Sequence, residues 1–73
     1  MTNTLRIHRK AINLTMRELA NALDVAGPTI YAIEINKYVP SVLLALRLAD
    51  YFNVNVHELF SLAESEKFIS VPA

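Results

Sequence analysis

The chain has 73 residues, 53% of them hydrophobic, with seven Lys or Arg balanced by seven Asp or Glu, and no cysteine. That length makes one small domain, which buries only roughly 60% of the surface its unfolded chain exposes. The lack of cysteine excludes a disulfide framework and a thiolate metal site, and no apolar run approaches the ~20 residues of a membrane span.

The apolar share is more than a monomer of this size readily hides, and dimerisation is the simplest outlet. No charged-apolar-small signal segment opens the chain, so the expected setting is cytoplasmic. Charge is uneven. Residues 1–40 carry +2, from Arg6, Arg9, Lys10, Arg17 and Lys37 against Glu18, Asp24 and Glu34. Residues 41–73 carry −2, from Arg47 and Lys67 against Asp50, Glu58, Glu64 and Glu66. One half can face phosphates while the other does not, although scatter among few charges gives the same imbalance.

Five helices are predicted, making an all-α domain. The first runs from Asn3 or Thr4 to Ile12, with Leu5, His8 and Ile12 on one face; Asn13, tolerant of positive φ, stops it. The second starts at Thr15, where Thr15-Met16-Arg17-Glu18 fits a capping box. Its inward stripe is Leu19, Ala20 and Leu23, and Leu23-Asp24-Val25 makes the turn. The third runs from Ala26 or Gly27 to Ile35. Pro28 fits its first turn, where no intrahelical N–H partner is lost. Ile30 and Ile33, with Ala32 at their side, face inward, and Asn36 ends it.

The fourth helix has Ser41 as N-cap and continues to Phe52, with Leu44, Ala45, Leu48 and Phe52 inside. The fifth runs from Val56 to Ser61 or Leu62, with Asn55 and Glu58 as a second capping-box-like pair. The tail Lys67-Phe68-Ile69-Ser70-Val71 alternates weakly, as a short strand or a frayed terminus. The division this suggests is residues 1–63 as a helix-turn-helix domain, with the motif at residues 15–35, and residues 64–73 as a tail or dimerisation element.

Two short helices joined by a tight turn across residues 15–34 form the layout whose second helix can enter the major groove of DNA. The chain resembles the lambda-repressor/Cro-like, or Xre-class, helix-turn-helix regulators over residues 4–62. The resemblance is carried by Leu14-Thr15, Glu18-Leu19-Ala20, Thr29-Ile30, Ile33-Glu34, Asn36-Lys37-Tyr38, Pro40-Ser41, Leu44-Ala45-Leu46 and the run Val54 to Phe60. It implies a five-helix lambda-repressor-like fold that binds double-stranded DNA as a homodimer and acts on transcription. It also implies a structural ion pair between Arg9 and Glu34. The DNA-contacting positions it transfers are Met16, Arg17, Gly27, Pro28, Thr29, Tyr31, Lys37 and Tyr38.

The departures fall where DNA is read. Ala26, Gly27 and Pro28 stand where the family opens its recognition helix with polar residues, and Met16 replaces a phosphate-anchoring Gln. Asp24 replaces the turn Gly, and His8 a helix-one aliphatic. Neither Gly27 nor Pro28 can make bidentate base contacts, which leaves Thr29 and Tyr31 as the candidate readers. Arg17 is a phosphate contact or a solvated charge, and Thr29 a DNA contact or a first-turn backbone partner. Leu43 is a lone exposed apolar residue or, with Leu46, Tyr51 and the tail, part of a dimer surface.

His8 reads as a hydrogen-bonded boundary residue and His57 as solvated; they lack metal-ligand spacing. No nucleophile stands beside a paired base, and one glycine cannot make a phosphate loop, so enzyme chemistry, a cofactor and a small-molecule ligand are not expected. Zero net charge and the bare reading positions keep a second reading open: the same scaffold as a protein-interaction or antitoxin-like module with weak DNA readout.

Overall fold

A computed structural model describes residues 1–68. The elements are β1 (Thr2–Asn3), α1 (Leu5–Ala11), α2 (Met16–Leu23), α3 (Gly27–Glu34), α4 (Val42–Tyr51), α5 (Val56–Leu59), β2 (Phe60–Ser61) and a 3₁₀ turn (Glu64–Glu66). The five helices of the lambda-repressor-like fold are present. A small antiparallel pairing of β1 with β2 is added, in the register Thr2↔Ser61 and Asn3↔Phe60.

The core is a single cluster that takes side chains from every helix. Leu5, Leu19, Ile30, Ile33, Leu48 and Leu59 are its largest fully buried members. Leu19, Ala20 and Leu23 form the inward stripe of α2 as the spacing requires. Ile12 does not face the core. It is 57% exposed, because α1 ends at Ala11 and Ile12 already lies beyond its last turn. On α4, Leu44 and Leu48 are buried and Ala45 and Phe52 are half-buried against the core, as expected, and Ala49 is buried beside them.

Four helices end on the same device. Asn13, Asp24, Asn36 and Asn53 all have positive φ, between 55° and 62°. After each, a backbone N–H turns back to a carbonyl five residues earlier. These bonds are Leu14 to Arg9, Val25 to Ala20, Lys37 to Ala32 and Val54 to Ala49, at 2.9–3.1 Å. This is the Schellman cap, with Asn or Asp in the place usual for Gly. Among the residues after the caps, Leu14, Val25 and Val54 fold back onto the core. Lys37 is exposed.

The C-terminal part departs from expectation. The fifth helix stops at Leu59, since Phe60 takes extended backbone and enters β2. The Asn55–Glu58 box does not form. Asn55 Oδ1 accepts from the His57 N–H at 3.0 Å, and a helix this short closes on that single cap. The strand expected in the tail is instead Phe60–Ser61, drawn to the N-terminus; residues 69–71 of the expected strand lie outside the described residues. The N-terminal ammonium meets Glu66 at 2.6 Å and, with the Ala63 N–H, holds the Glu66 carboxyl below its usual range.

Arg9 is the one charged residue within the described core, only 6% exposed. Its Nε donates to Glu34 Oε2 at 2.7 Å and its Nη2 to Glu34 Oε1 at 3.2 Å, while Nη1 donates to the Leu14 carbonyl at 2.8 Å. The guanidinium thus joins α1, the α1 cap and the end of α3. A charge pair this buried is stable only with its geometry complete, and removing one partner strands the other. Arg9→Ala should cost about 3–5 kcal/mol, a large part of the stability of a small domain, read as a lower urea midpoint. Replacing both partners with Met at 9 and Leu at 34 should recover most of the loss. An unchanged midpoint for Arg9→Ala would dismiss this role for the pair.

Candidate nucleic-acid interface

The candidate interface comprises α2, the turn and α3. The start of α2 is closed by the full capping box. Glu18 N–H donates to Thr15 Oγ1 and the Thr15 N–H donates to Glu18 Oε1, both at 3.0 Å. The Glu18 carboxyl lies below its ordinary range, chiefly through the Thr15 N–H and secondarily through the Thr15 side chain. Asp24 then takes left-handed backbone (φ 56°, ψ 46°) and reverses the chain. Asp carries this conformation at modest cost because its short side chain tolerates it.

The two ends of α3 are treated differently. At the C-terminus, Arg9 holds Glu34. Asn3 Nδ2 donates to the Ile33 carbonyl at 2.9 Å and to Asn36 Oδ1 at 2.8 Å. At the N-terminus, Ala26 offers no side-chain cap and the first turn has no acidic residue. Of the first-turn residues only Gly27 leaves its amide to solvent or a ligand, because Thr29 N–H bonds the Ala26 carbonyl at 3.0 Å. Pro28 has no N–H to leave unpaired.

The predicted contact residues divide by exposure. Arg17, Pro28, Tyr31, Lys37 and Tyr38 are exposed, while Gly27 and Thr29 are half-buried. Tyr31 is 52% exposed, on the side of α3 away from buried Ile30 and Ile33. Lys37 and Tyr38 follow the α3 cap, where both amides bond the Ala32 carbonyl. Met16 is half-buried and packed against the core, so it serves the fold as well as the helix start. A Cβ at Gly27 would meet nothing within 4 Å, and Gly27 has no positive φ. The only glycine of the chain is thus required neither by a turn nor by packing.

His8 sits where a boundary residue was expected. It is half-buried, with Nδ1 3.0 Å from the Thr4 carbonyl and its ring centroid 5.9 Å from that of Phe52. His57 is exposed. Among the described residues no group of three or more metal-ligating side chains comes together. No helix among them is long and apolar enough to cross a membrane. Sequence reasoning missed Asn3, whose grip on α3 exists only once β1 is paired. A lone Asn near an N-terminus carries no signal of that.

The profile of the Helix-turn-helix family matches residues 5–59, which is the span from the start of α1 to the end of α5. The chain belongs to the helix-turn-helix family of transcriptional regulators. It is a family of DNA-binding proteins, not of enzymes. An uncharacterized HTH-type transcriptional regulator of Methanocaldococcus jannaschii is 41% identical over 66 residues, covering 90% of this chain and 100% of the relative. One of Archaeoglobus fulgidus is 35% identical over 66 residues, covering 90% and 93%. One of Bacillus subtilis is 33% identical over 64 residues, covering 88% and 97%.

The capping box gives a pH test. The folded-state pKa of Glu18 is depressed, so its contribution is present above the ordinary carboxylate value of about 4.3 and is lost as pH falls through the folded value. Gln keeps the box geometry without the charge. Thermal melts of Glu18→Gln should therefore lie below wild type at pH 7 and converge on it as the pH falls through the depressed carboxyl value. A gap that widens in acid would contradict the assignment.

Proposed function

We propose that this regulator binds DNA as a homodimer, each subunit laying α3 in a major groove, with half-sites about one helical turn apart. The observation that supports this most is the asymmetry of α3. Its C-terminus is clamped by Arg9 and Asn3, while its N-terminus is uncapped, free of acid and bordered by exposed Tyr31. An uncapped helix start suits an anion, because the free Gly27 amide and the positive end of the helix dipole point the same way. The start of α2 suits one less well, since Glu18 already occupies it.

On this reading Arg17, Lys37 and Tyr38 anchor phosphates, and Thr29 and Tyr31 read base edges. Gly27 lets the backbone approach the duplex closely, and DNA shape supplies part of the specificity. Lys37 has further support. It occupies the only one of the four cap-following positions that does not send an apolar side chain into the core. Its exposure there suits an external anion. Residues 1–63 form the DNA-binding domain, with residues 64–73 appended.

The bare Ala26-Gly27-Pro28 start favours a second reading, the same scaffold as a protein-interaction module with weak DNA readout. The two readings separate by binding. A duplex selected from a random pool should bind more tightly than random duplex, with affinity falling steeply as salt rises. Thr29→Ala and Tyr31→Ala should each cost about 1–3 kcal/mol on the selected duplex and little on random duplex. Lys37→Ala should weaken both alike and reduce the salt slope by about one. Gly27 has room for a side chain, so Gly27→Arg with Pro28→Gln should fold and bind DNA more tightly. A parent chain that binds no duplex at low salt, beside a variant that does, would favour the interaction module.

A further inference from the structure

A left-handed helix stop is firm when the chain after it is held, and an apolar contact back to the helix is the usual hold. At Asn13, Asp24 and Asn53 that hold is present, because Leu14, Val25 and Val54 pack against the core. At Asn36 it is missing, since Lys37 and Tyr38 are both exposed. The cap closes all the same, with the Lys37 and Tyr38 amides on the Ala32 carbonyl at 2.9 and 3.2 Å.

Asn3 stands in for the absent apolar contact. Its Nδ2 gives one hydrogen to the Ile33 carbonyl and the other to Asn36 Oδ1, while its Oδ1 accepts from the Leu5 N–H at 3.1 Å. Among the described residues, Asn36 is the only one of the four left-handed residues whose side chain is bonded to another element. The grip needs two hydrogens and a lone pair on one short planar group, where Ser offers one hydrogen and ionised Asp none. The backbone that carries this amide is itself fixed. Asn3 pairs with Phe60 in the sheet, the Thr4 N–H donates to the Leu59 carbonyl at 2.9 Å, and the Thr4 hydroxyl donates to the Glu58 carbonyl at 2.6 Å.

We propose that Asn3 is a positioning residue for the DNA contacts of Lys37 and Tyr38: by holding Asn36 it fixes the direction in which the chain leaves α3. This polar brace lets position 37 present a cation at the surface, where the other three caps bury an apolar side chain. The inference rests on the phosphate-anchoring reading of Lys37 and Tyr38 above.

Asn3→Ser removes the grip and little else. A Ser hydroxyl can still accept from the Leu5 N–H, and the change is neutral, so no charge is altered near the duplex. Amide hydrogen exchange on the free protein reads the brace, and duplex binding against salt concentration reads its use. In Asn3→Ser the Lys37 and Tyr38 amides should exchange about ten-fold faster, while those of Leu14, Val25 and Val54 keep their rates. Affinity for random duplex should fall towards that of Lys37→Ala, with the salt slope lower by about one. The combined variant Asn3→Ser with Lys37→Ala should lose less than the product of the two single losses, because both remove the same contact. Asn36→Gly deletes the acceptor at a backbone angle that Gly adopts freely, and it carries the test should Asn3→Ser not fold. Its exchange and affinity should change in the same directions. Faster exchange at all four caps alike would overturn the proposal by making Asn3 a general prop of the fold. Wild-type affinity and slope in Asn3→Ser, beside a Lys37→Ala variant that loses both, would overturn it and leave the DNA reading intact. A Lys37→Ala variant that keeps wild-type affinity and slope would overturn the reading and the proposal together.

Discussion

The fold depends on the Arg9–Glu34 pair more than on any other polar contact. Glu34 is the last residue of α3, where its negative charge opposes the negative end of the helix dipole. No basic residue of α3 offsets it. Arg9 supplies that cation from the last turn of α1, where a positive charge is itself favoured. One buried guanidinium thus meets the needs of two helix ends, and its third contact closes the cap at Leu14. Two parallel hydrogen bonds fix the carboxylate in the plane of the guanidinium. Lys has the charge but cannot reproduce that geometry.

This anchorage explains why α3 can have so plain a beginning. An eight-residue helix with a Gly and a Pro in its first turn has little intrinsic stability. It is held by Ile30 and Ile33 in the core and by Arg9 and Asn3 at its far end. Side chains near its start are released from structural duty. Elsewhere the chain spends no glycine on left-handed caps, using Asn or Asp four times. Its one glycine stands at the exposed end of α3, where no backbone angle demands it.

Much of this was legible in the sequence because it is local. The Thr15–Glu18 box, the Ser41 cap and the left-handed stops at Asn13, Asp24 and Asn36 all follow from side chains bonding backbone within a few residues. The Arg9–Glu34 pair was legible only through the family resemblance, since no periodicity links residues so far apart. The misses are tertiary. Ile12 has the right spacing for the core, but the helix ends before reaching it. Phe60 reads as helical until Asn3 offers a strand to pair with.

The order of the chain also separates its tasks by charge. The net positive part, residues 1–40, contains α1 through α3, and the net negative part contains α4 and α5. On the proposed reading, the first part is attracted to a duplex and the second repelled, which favours an approach with α1 to α3 leading. A zero total charge, which by itself argues against strong nonspecific DNA binding, is therefore compatible with a DNA-binding protein whose charges are segregated. What it limits is affinity at a distance. On the proposed reading, discrimination comes from short-range contacts at Thr29 and Tyr31 and from how closely Gly27 lets the backbone approach.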